Sequence, residues 1–147
     1  MIARALAAGF AGTCALTLSQ RTEMAVSGRP PSDLPARVVE GVLRVKLRGR
    51  RRELAATAAH WVNNTSSGLG RAALGAAGLQ GGAALAGTFV LYLGGEALLF
   101  RSLGFEPSAL RAVDLVHAAV WAGATHAAYE LLEGGVDADV DVPLESA

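Results

Sequence analysis

Apolar residues gather into four stretches separated by polar or glycine-rich breaks: residues 2–19, 54–74, 83–100 and 109–132. Each is close to the roughly 20 residues a helix needs to cross a hydrocarbon core. The first carries one charge, Arg4, at its start, and the third is interrupted by Glu96. The second is as long as a span but polar in the middle, around His60, Asn63, Asn64 and Ser67. Small residues recur every four positions in the first stretch (Ala5, Gly9, Thr13, Thr17) and in the fourth (Ala119, Gly123, Ala127). Such stripes let helix backbones approach closely in lipid. The pattern predicts an all-α fold, an integral membrane bundle of four transmembrane helices. A signal peptide competes for residues 2–19, because Arg4 followed by an apolar run has that shape, but Ser19-Gln20-Arg21 is a poor cleavage site.

The connections are informative too. Residues 21–53 form a basic loop with its own structure. Gly28-Arg29-Pro30-Pro31-Ser32-Asp33 breaks the first helix, and Asp33 is placed to cap a new one near Leu34 and Pro35. From Arg37 to Arg48, Val38, Val39, Val42, Leu43, Val45 and Leu47 fall on one side at helical spacing, with Arg37, Glu40, Arg44 and Arg48 on the other and Lys46 as the exception. This predicts a short amphipathic helix on the cytoplasmic membrane surface. Residues 75–82 form a glycine-rich turn. Residues 101–111 form a loop in which Ser108 can cap the last helix. The chain divides into a membrane domain, 1–132, and an acidic tail, 133–147, expected to be disordered.

Composition sharpens the picture. The apolar half of the chain is rich in Ala, Leu, Val and Gly, with 18 glycines and few aromatics, which suits close packing in lipid better than a bulky aqueous core. Formal net charge is zero, yet basic residues crowd between Arg21 and Arg52 and acidic ones between Glu130 and Glu145. The positive-inside rule therefore puts the basic loop in the cytoplasm and both termini outside. Twelve of the thirteen basic residues are arginine, which fits a GC-rich bacterial genome and a bacterial inner membrane. Arg44, Arg48, Arg50, Arg51 and Arg52 are candidate contacts for anionic lipid head groups, each contributing about 1 kcal/mol near the surface; a solvated loop that only sets topology is the alternative. No aromatic residues are interleaved for base stacking, so nucleic acid is not an expected partner. The single Cys14 excludes an intrachain disulfide and a zinc finger and is expected to be a packed small residue.

Orientation allows depths to be compared. His60, Glu96 and His117 come from three different stretches and all fall roughly 7–9 Å below the cytoplasmic edge at 1.5 Å per residue. Asp114 shares a face with His117, and Asn64 and Ser67 continue the face of His60 towards Arg71. His60, Asn64, Glu96, Asp114 and His117 are thus a candidate intramembrane polar layer. Ionisable groups in lipid are costly and normally find partners. They could serve as a proton relay or as helix glue, with Asn63, Asn64 and Ser67 bonding across helices. His60, Glu96 and His117 are also a valid metal ligand set, although only their depth supports one, and no metal or other cofactor is expected. A haem is disfavoured because His117 and His126 lie on opposite faces of one helix. No phosphate-binding glycine loop is present, and Asn63-Asn64-Thr65 is a glycosylation sequon only by accident of its place in a span. Trp61, Trp121 and Tyr129 read as packing or interface anchors.

An Ala/Gly-rich first span, then Gly28-Arg29-Pro30-Pro31-Ser32, then a helix carrying His60-Trp61 and later Gly68, resembles the YagU-like small bacterial inner-membrane proteins of unknown function. The likeness covers about the first half of the chain and the span count. Val62-Asn63-Asn64-Thr65 stands where that family has an aromatic and a glycine after the tryptophan. The resemblance implies a multi-span inner-membrane protein, in one member linked to acid resistance, without established catalytic residues. The expected function is that of a non-enzymatic membrane protein supporting envelope integrity or acid and stress tolerance, in contact with the bilayer and with a second copy or another membrane protein. The alternative is a small channel or proton-coupled transporter using the His/Glu layer.

Overall fold

The structure, a computed structural model, describes residues 1–104 and 112–138, with side chains up to residue 134. The described residues form five helices and no strand: α1 (Ile2–Ser27), α2 (Leu34–Leu43), α3 (Gly49–Ala76), α4 (Gly81–Ser102) and α5 (Ala112–Ala138). Residues 105–111, including Pro107, Ser108 and Arg111, lie outside the described residues, as does the acidic stretch 139–147.

The long helices run up and down in chain order. Thr13 meets Thr65 and Thr17 meets His60, so α3 runs antiparallel to α1. Arg4 meets Glu133 and Ser19 meets His117, so α5 also runs antiparallel to α1. Leu74 lies against Gly87, and Tyr92 against Asn64, which sets α4 antiparallel to α3. Helix α1 is the central element, packed most extensively against α5 and α3, while α4 covers α3 and α5, and α2 lies on α3.

The predicted stripe on α1 is the reason it can be central. Ala5, Ala8, Gly9, Gly12, Thr13 and Leu16 are its buried residues. A Cβ at Gly9 would land on the Thr65 carbonyl oxygen, and one at Gly68 on the Ala5 carbonyl oxygen and 2.7 Å from Gly9 Cα. Backbone meets backbone there, which only glycine permits. Farther along, a Cβ at Gly12 would strike the Thr125 hydroxyl and come within 3.1 Å of Trp121 Nε1. Against this notch Trp121 is fully buried and stacks on Tyr92 with ring centroids 4.3 Å apart, joined by Leu16, Ala118 and Ala122.

The second predicted stripe does not pack. Ala119 and Ala127 are exposed, and none of the described residues lies within 4 Å of a Cβ at Gly123. Helix α5 instead buries Ala118, Trp121, Ala122, Thr125 and Tyr129, because the larger Trp and Tyr face fills the space beside α1. Cys14 is exposed rather than packed.

Several helix ends depart from expectation. α1 continues from residue 20 to Ser27, until Gly28 takes a left-handed φ of 69° and donates to the Met24 carbonyl. α3 begins at Gly49, so Arg50, Arg51 and Arg52 form its first turn instead of a loop. α5 runs on to Ala138, so residues 133–138 are helix and not disordered tail. α2 stops at Leu43, with Arg44 left-handed at φ 53°, short of the span to Arg48 that its periodicity suggests. Asp33 does occupy the N-cap position of α2 but makes no side-chain cap; its carboxylate faces Arg52.

Of the four expected spans, α1 and α4 are long and apolar enough to cross a membrane. Helices α3 and α5 have the length, at 28 and 27 residues, but His, Asn and Ser in α3 and Asp and His in α5 dilute their apolar character.

Candidate functional site

Polar side chains meet inside the bundle in three places. The first joins α1, α3 and α4. The Thr17 hydroxyl bonds the Thr13 carbonyl at 2.7 Å. Its only hydrogen is therefore spent, and the contact between Thr17 Oγ1 and His60 Nε2 at 2.9 Å must be donated by the histidine. His60 is thereby fixed as the Nε2–H tautomer. Its Nδ1 accepts from Asn64 Nδ2 at 3.3 Å, and the same amide donates to the His60 carbonyl at 2.6 Å. Asn64 Oδ1 accepts from the Tyr92 hydroxyl at 2.6 Å, and the Glu96 carboxyl lies beside that hydroxyl. Every atom of the Asn64 amide named here is occupied, and an amide does not readily pass a proton from one end to the other. The chain is built as a fastening: three helices joined by directed bonds in a setting where an unmade bond costs more than in water.

The second place joins α1 and α5. Ser19 Oγ lies 2.9 Å from His117 Nδ1, and His117 Nε2 lies 4.0 Å from Glu23 Oε2. Arg29 Nε and Nη2 both reach Glu23 Oε2, at 3.1 and 2.7 Å, and this carboxylate holds the Arg29 guanidinium above its ordinary pKa. Asp114 lies within electrostatic reach of both Arg29 and Glu96.

The predicted layer is thus distributed between two fastenings. His60, Asn64, Tyr92 and Glu96 are linked in series, whereas His117 sits with Ser19 and Glu23. Thr17 and Ser19, two residues apart, point about 200° apart around α1, so the two histidines occupy different flanks of that helix. Among the described residues no group of three or more His, Cys, Asp or Glu is placed to hold a metal ion, so His60, Glu96 and His117 do not form a ligand set. Ser67 bonds back to the Asn63 carbonyl at 2.8 Å within α3 instead of crossing to a neighbour.

The third place was not anticipated. Arg71 is only 1% exposed. It pairs with Glu130, donates from Nε to His126 Nδ1 at 3.1 Å, and lies over the Tyr129 ring with Cζ 4.4 Å from the centroid. The small Gly75 makes room: a Cβ there would sit 3.1 Å from Arg71 Nη1, which has no hydrogen-bond partner among the described residues. Arg4 approaches the same ring at 5.7 Å and bonds Glu133 at 2.8 Å. One tyrosine ring therefore carries two guanidinium groups, and α1, α3 and α5 are clasped at one end. The signal is present as His126, Tyr129, Glu130 and Glu133 at helical spacing on one face of α5, but sequence position alone places Glu133 in the tail and Arg71 at a span end.

At the opposite end the basic cluster is less free than its sequence suggests. Arg44, Arg48, Arg50 and Arg51 are exposed, but Arg52 is engaged by Glu40 at 3.4 Å and Asp33 at 3.5 Å. Arg52 therefore fastens α2 to α3 in place of offering a free charge to lipid. Val42, Leu43 and Val45 beside it remain exposed. No family model, curated protein or solved structure matches the chain.

Proposed function

We propose that the chain is a four-span integral protein of the bacterial inner membrane, related in kind to the YagU-like proteins, that supports envelope integrity under acid stress without catalysing a reaction. The observation that carries this reading is the inverted distribution of side chains. Apart from Leu16, Tyr92, Trp121 and Tyr129, the interior holds mostly Ala, Gly, Thr, Asn and Arg, whereas Leu18, Val62, Val90, Leu98, Val116 and Leu131 face outward. An aqueous protein buries its large apolar groups to gain stability. A protein in lipid gains nothing by doing so, and is held by close backbone approach and hydrogen bonds instead. On this reading α3 and α5 cross with their polar faces turned inward, and the exposed Arg44, Arg48, Arg50 and Arg51 meet anionic head groups beside the exposed apolar face of α2.

The acid-stress role rests on the resemblance to the YagU-like proteins. On the proposed topology the Arg71 clasp lies at the non-cytoplasmic end with both termini. A reporter fused after Ala147 should read outside the cytoplasm, and a cytoplasmic reading overturns the topology. A strain lacking the protein should survive acid poorly and be rescued by the wild-type chain. Undiminished survival overturns the stress role.

A further inference from the structure

A hollow of about 390 Å³ opens between the end of α2 and the end of α4. Glu40 and Arg44 line it from the α2 side, Val45 and Lys46 from the chain just beyond, and Leu103 from the end of α4. Arg37 lines it too and is already engaged. The Glu40 carboxylate is answered by the Leu47 amide at 3.1 Å and by Arg52 Nε at 3.4 Å. Arg44 and Lys46 are exposed, and among the described residues neither forms an ion pair. Arg44 is also the only non-glycine residue with a positive φ among the described residues, at 53°. Helix α1 ends in the same left-handed conformation on Gly28, where the missing Cβ removes the strain. An arginine held there instead costs backbone strain, and such strain collects where a side chain has a task.

We propose that this hollow binds the head of a membrane lipid that ends in a phosphate monoester, of the phosphatidic acid class. Two cations without a carboxylate partner call for an anion of two charges. A phosphate monoester carries about 1.5 to 2 negative charges near pH 7, whereas a phosphodiester carries one. The monoester also offers three bare oxygens. The Arg44 fork can take two of them and the Lys46 ammonium the third. In a diester one of these oxygens is tied to a further head group, which would have to share the hollow. The apolar wall of Val45 and Leu103 suits the glycerol and the first acyl carbons. Exposed Val42 and Leu43 beside it set the hollow at the bilayer surface rather than in open water. The inference rests on the membrane reading, and it narrows the general attraction of a basic face to one site and one kind of head.

The test separates the two. The full-length protein is reconstituted in phosphatidylcholine vesicles carrying either a photoreactive phosphatidic acid or a photoreactive phosphatidylglycerol with the same chains. Crosslinks are mapped by mass spectrometry. At Val45 and Leu103 the phosphatidic acid probe should label at least about fivefold more, the effect of one further charge at a basic surface. At Val90, exposed on the outer face of α4, both probes should label equally. Arg44→Gly should abolish the preference while unfolding no more readily than the wild type, because glycine suits the left-handed φ at that position. Arg51→Gln removes the same charge from an exposed position outside the hollow and should keep the preference. A preference that survives Arg44→Gly, or that falls as far in Arg51→Gln, means diffuse attraction and overturns the proposal. Equal labelling by both probes in the wild type overturns it as well, and in each case the membrane reading stands. Complete competition by inorganic phosphate makes the ligand a soluble anion and overturns the lipid. Failure of both probes to label even Val90 overturns the proposal and the membrane reading together.

Discussion

The contact between Gly9 on α1 and Gly68 on α3 makes a sharp prediction about what holds the bundle. In Gly68→Ala the new methyl meets two backbone groups, the Ala5 carbonyl oxygen and Gly9 Cα at 2.7 Å. Carbon atoms rest about 3.5–4.0 Å apart, and neither group is a side chain that can swing aside. The two helices must therefore part by about 1 Å. The same crossing carries the contacts from Thr13 to Thr65 and from Thr17 to His60, and these stretch with it. Overpacking of this kind costs typically 1–3 kcal/mol, while the substitution itself removes a glycine from a helix interior, worth up to about 1 kcal/mol in the other direction. The net expectation is destabilisation of about 1–2 kcal/mol. Gly94→Ala is the control, because none of the described residues lies within 4 Å of a Cβ there, and only the favourable propensity remains. Reversible unfolding in mixed micelles, followed by the fluorescence of Trp61 and Trp121, gives both values. Opposite signs support the close crossing. Gly68→Ala as stable as Gly94→Ala refutes it.

The other predictions concern charge and hydrogen bonds. Glu130→Gln should destabilise more than Arg71→Met, because the first strands a guanidinium that is 1% exposed, whereas the second leaves a carboxylate whose side chain is 44% exposed; removing one member of a buried pair costs up to about 3–5 kcal/mol, and the order of the two in the same unfolding assay decides the point. Tyr92→Phe should cost about 1–2 kcal/mol through the unmet Asn64 carbonyl, and in a double-mutant cycle with Asn64→Leu the loss should be shared rather than additive. Wild-type proteoliposomes should show no proton flux above empty vesicles, since the Asn64 amide interrupts the line from Tyr92 to His60; flux that disappears in Glu96→Gln overturns that account of the polar layer.

What could be read from the sequence, and what could not, follows from the range of each interaction. Helix identity depends on neighbours a few residues away, so five helices, the break at Gly28 and the stripe from Ala5 to Thr17 were legible. Which stripe finds a partner depends on what faces it. Ala119, Gly123 and Ala127 look as packable as Ala5, Gly9 and Thr13, yet Trp121 and Tyr129 on the neighbouring face take the contact with α1, because large rings need the deeper space. Charge pairing is equally non-local. Arg4 and Glu133, or Arg71 and Glu130, acquire meaning only once antiparallel α1, α3 and α5 bring their ends together. Read singly, Arg71 is a charge at a span end and Glu133 the start of an acidic tail. Common depth, the strongest inference available before the fold, placed His60, Glu96 and His117 in one layer but carried no information about azimuth. Azimuth decides the chemistry: α1 stands between the two histidines, leaving one bonded into a filled network and the other with Ser19 and Glu23.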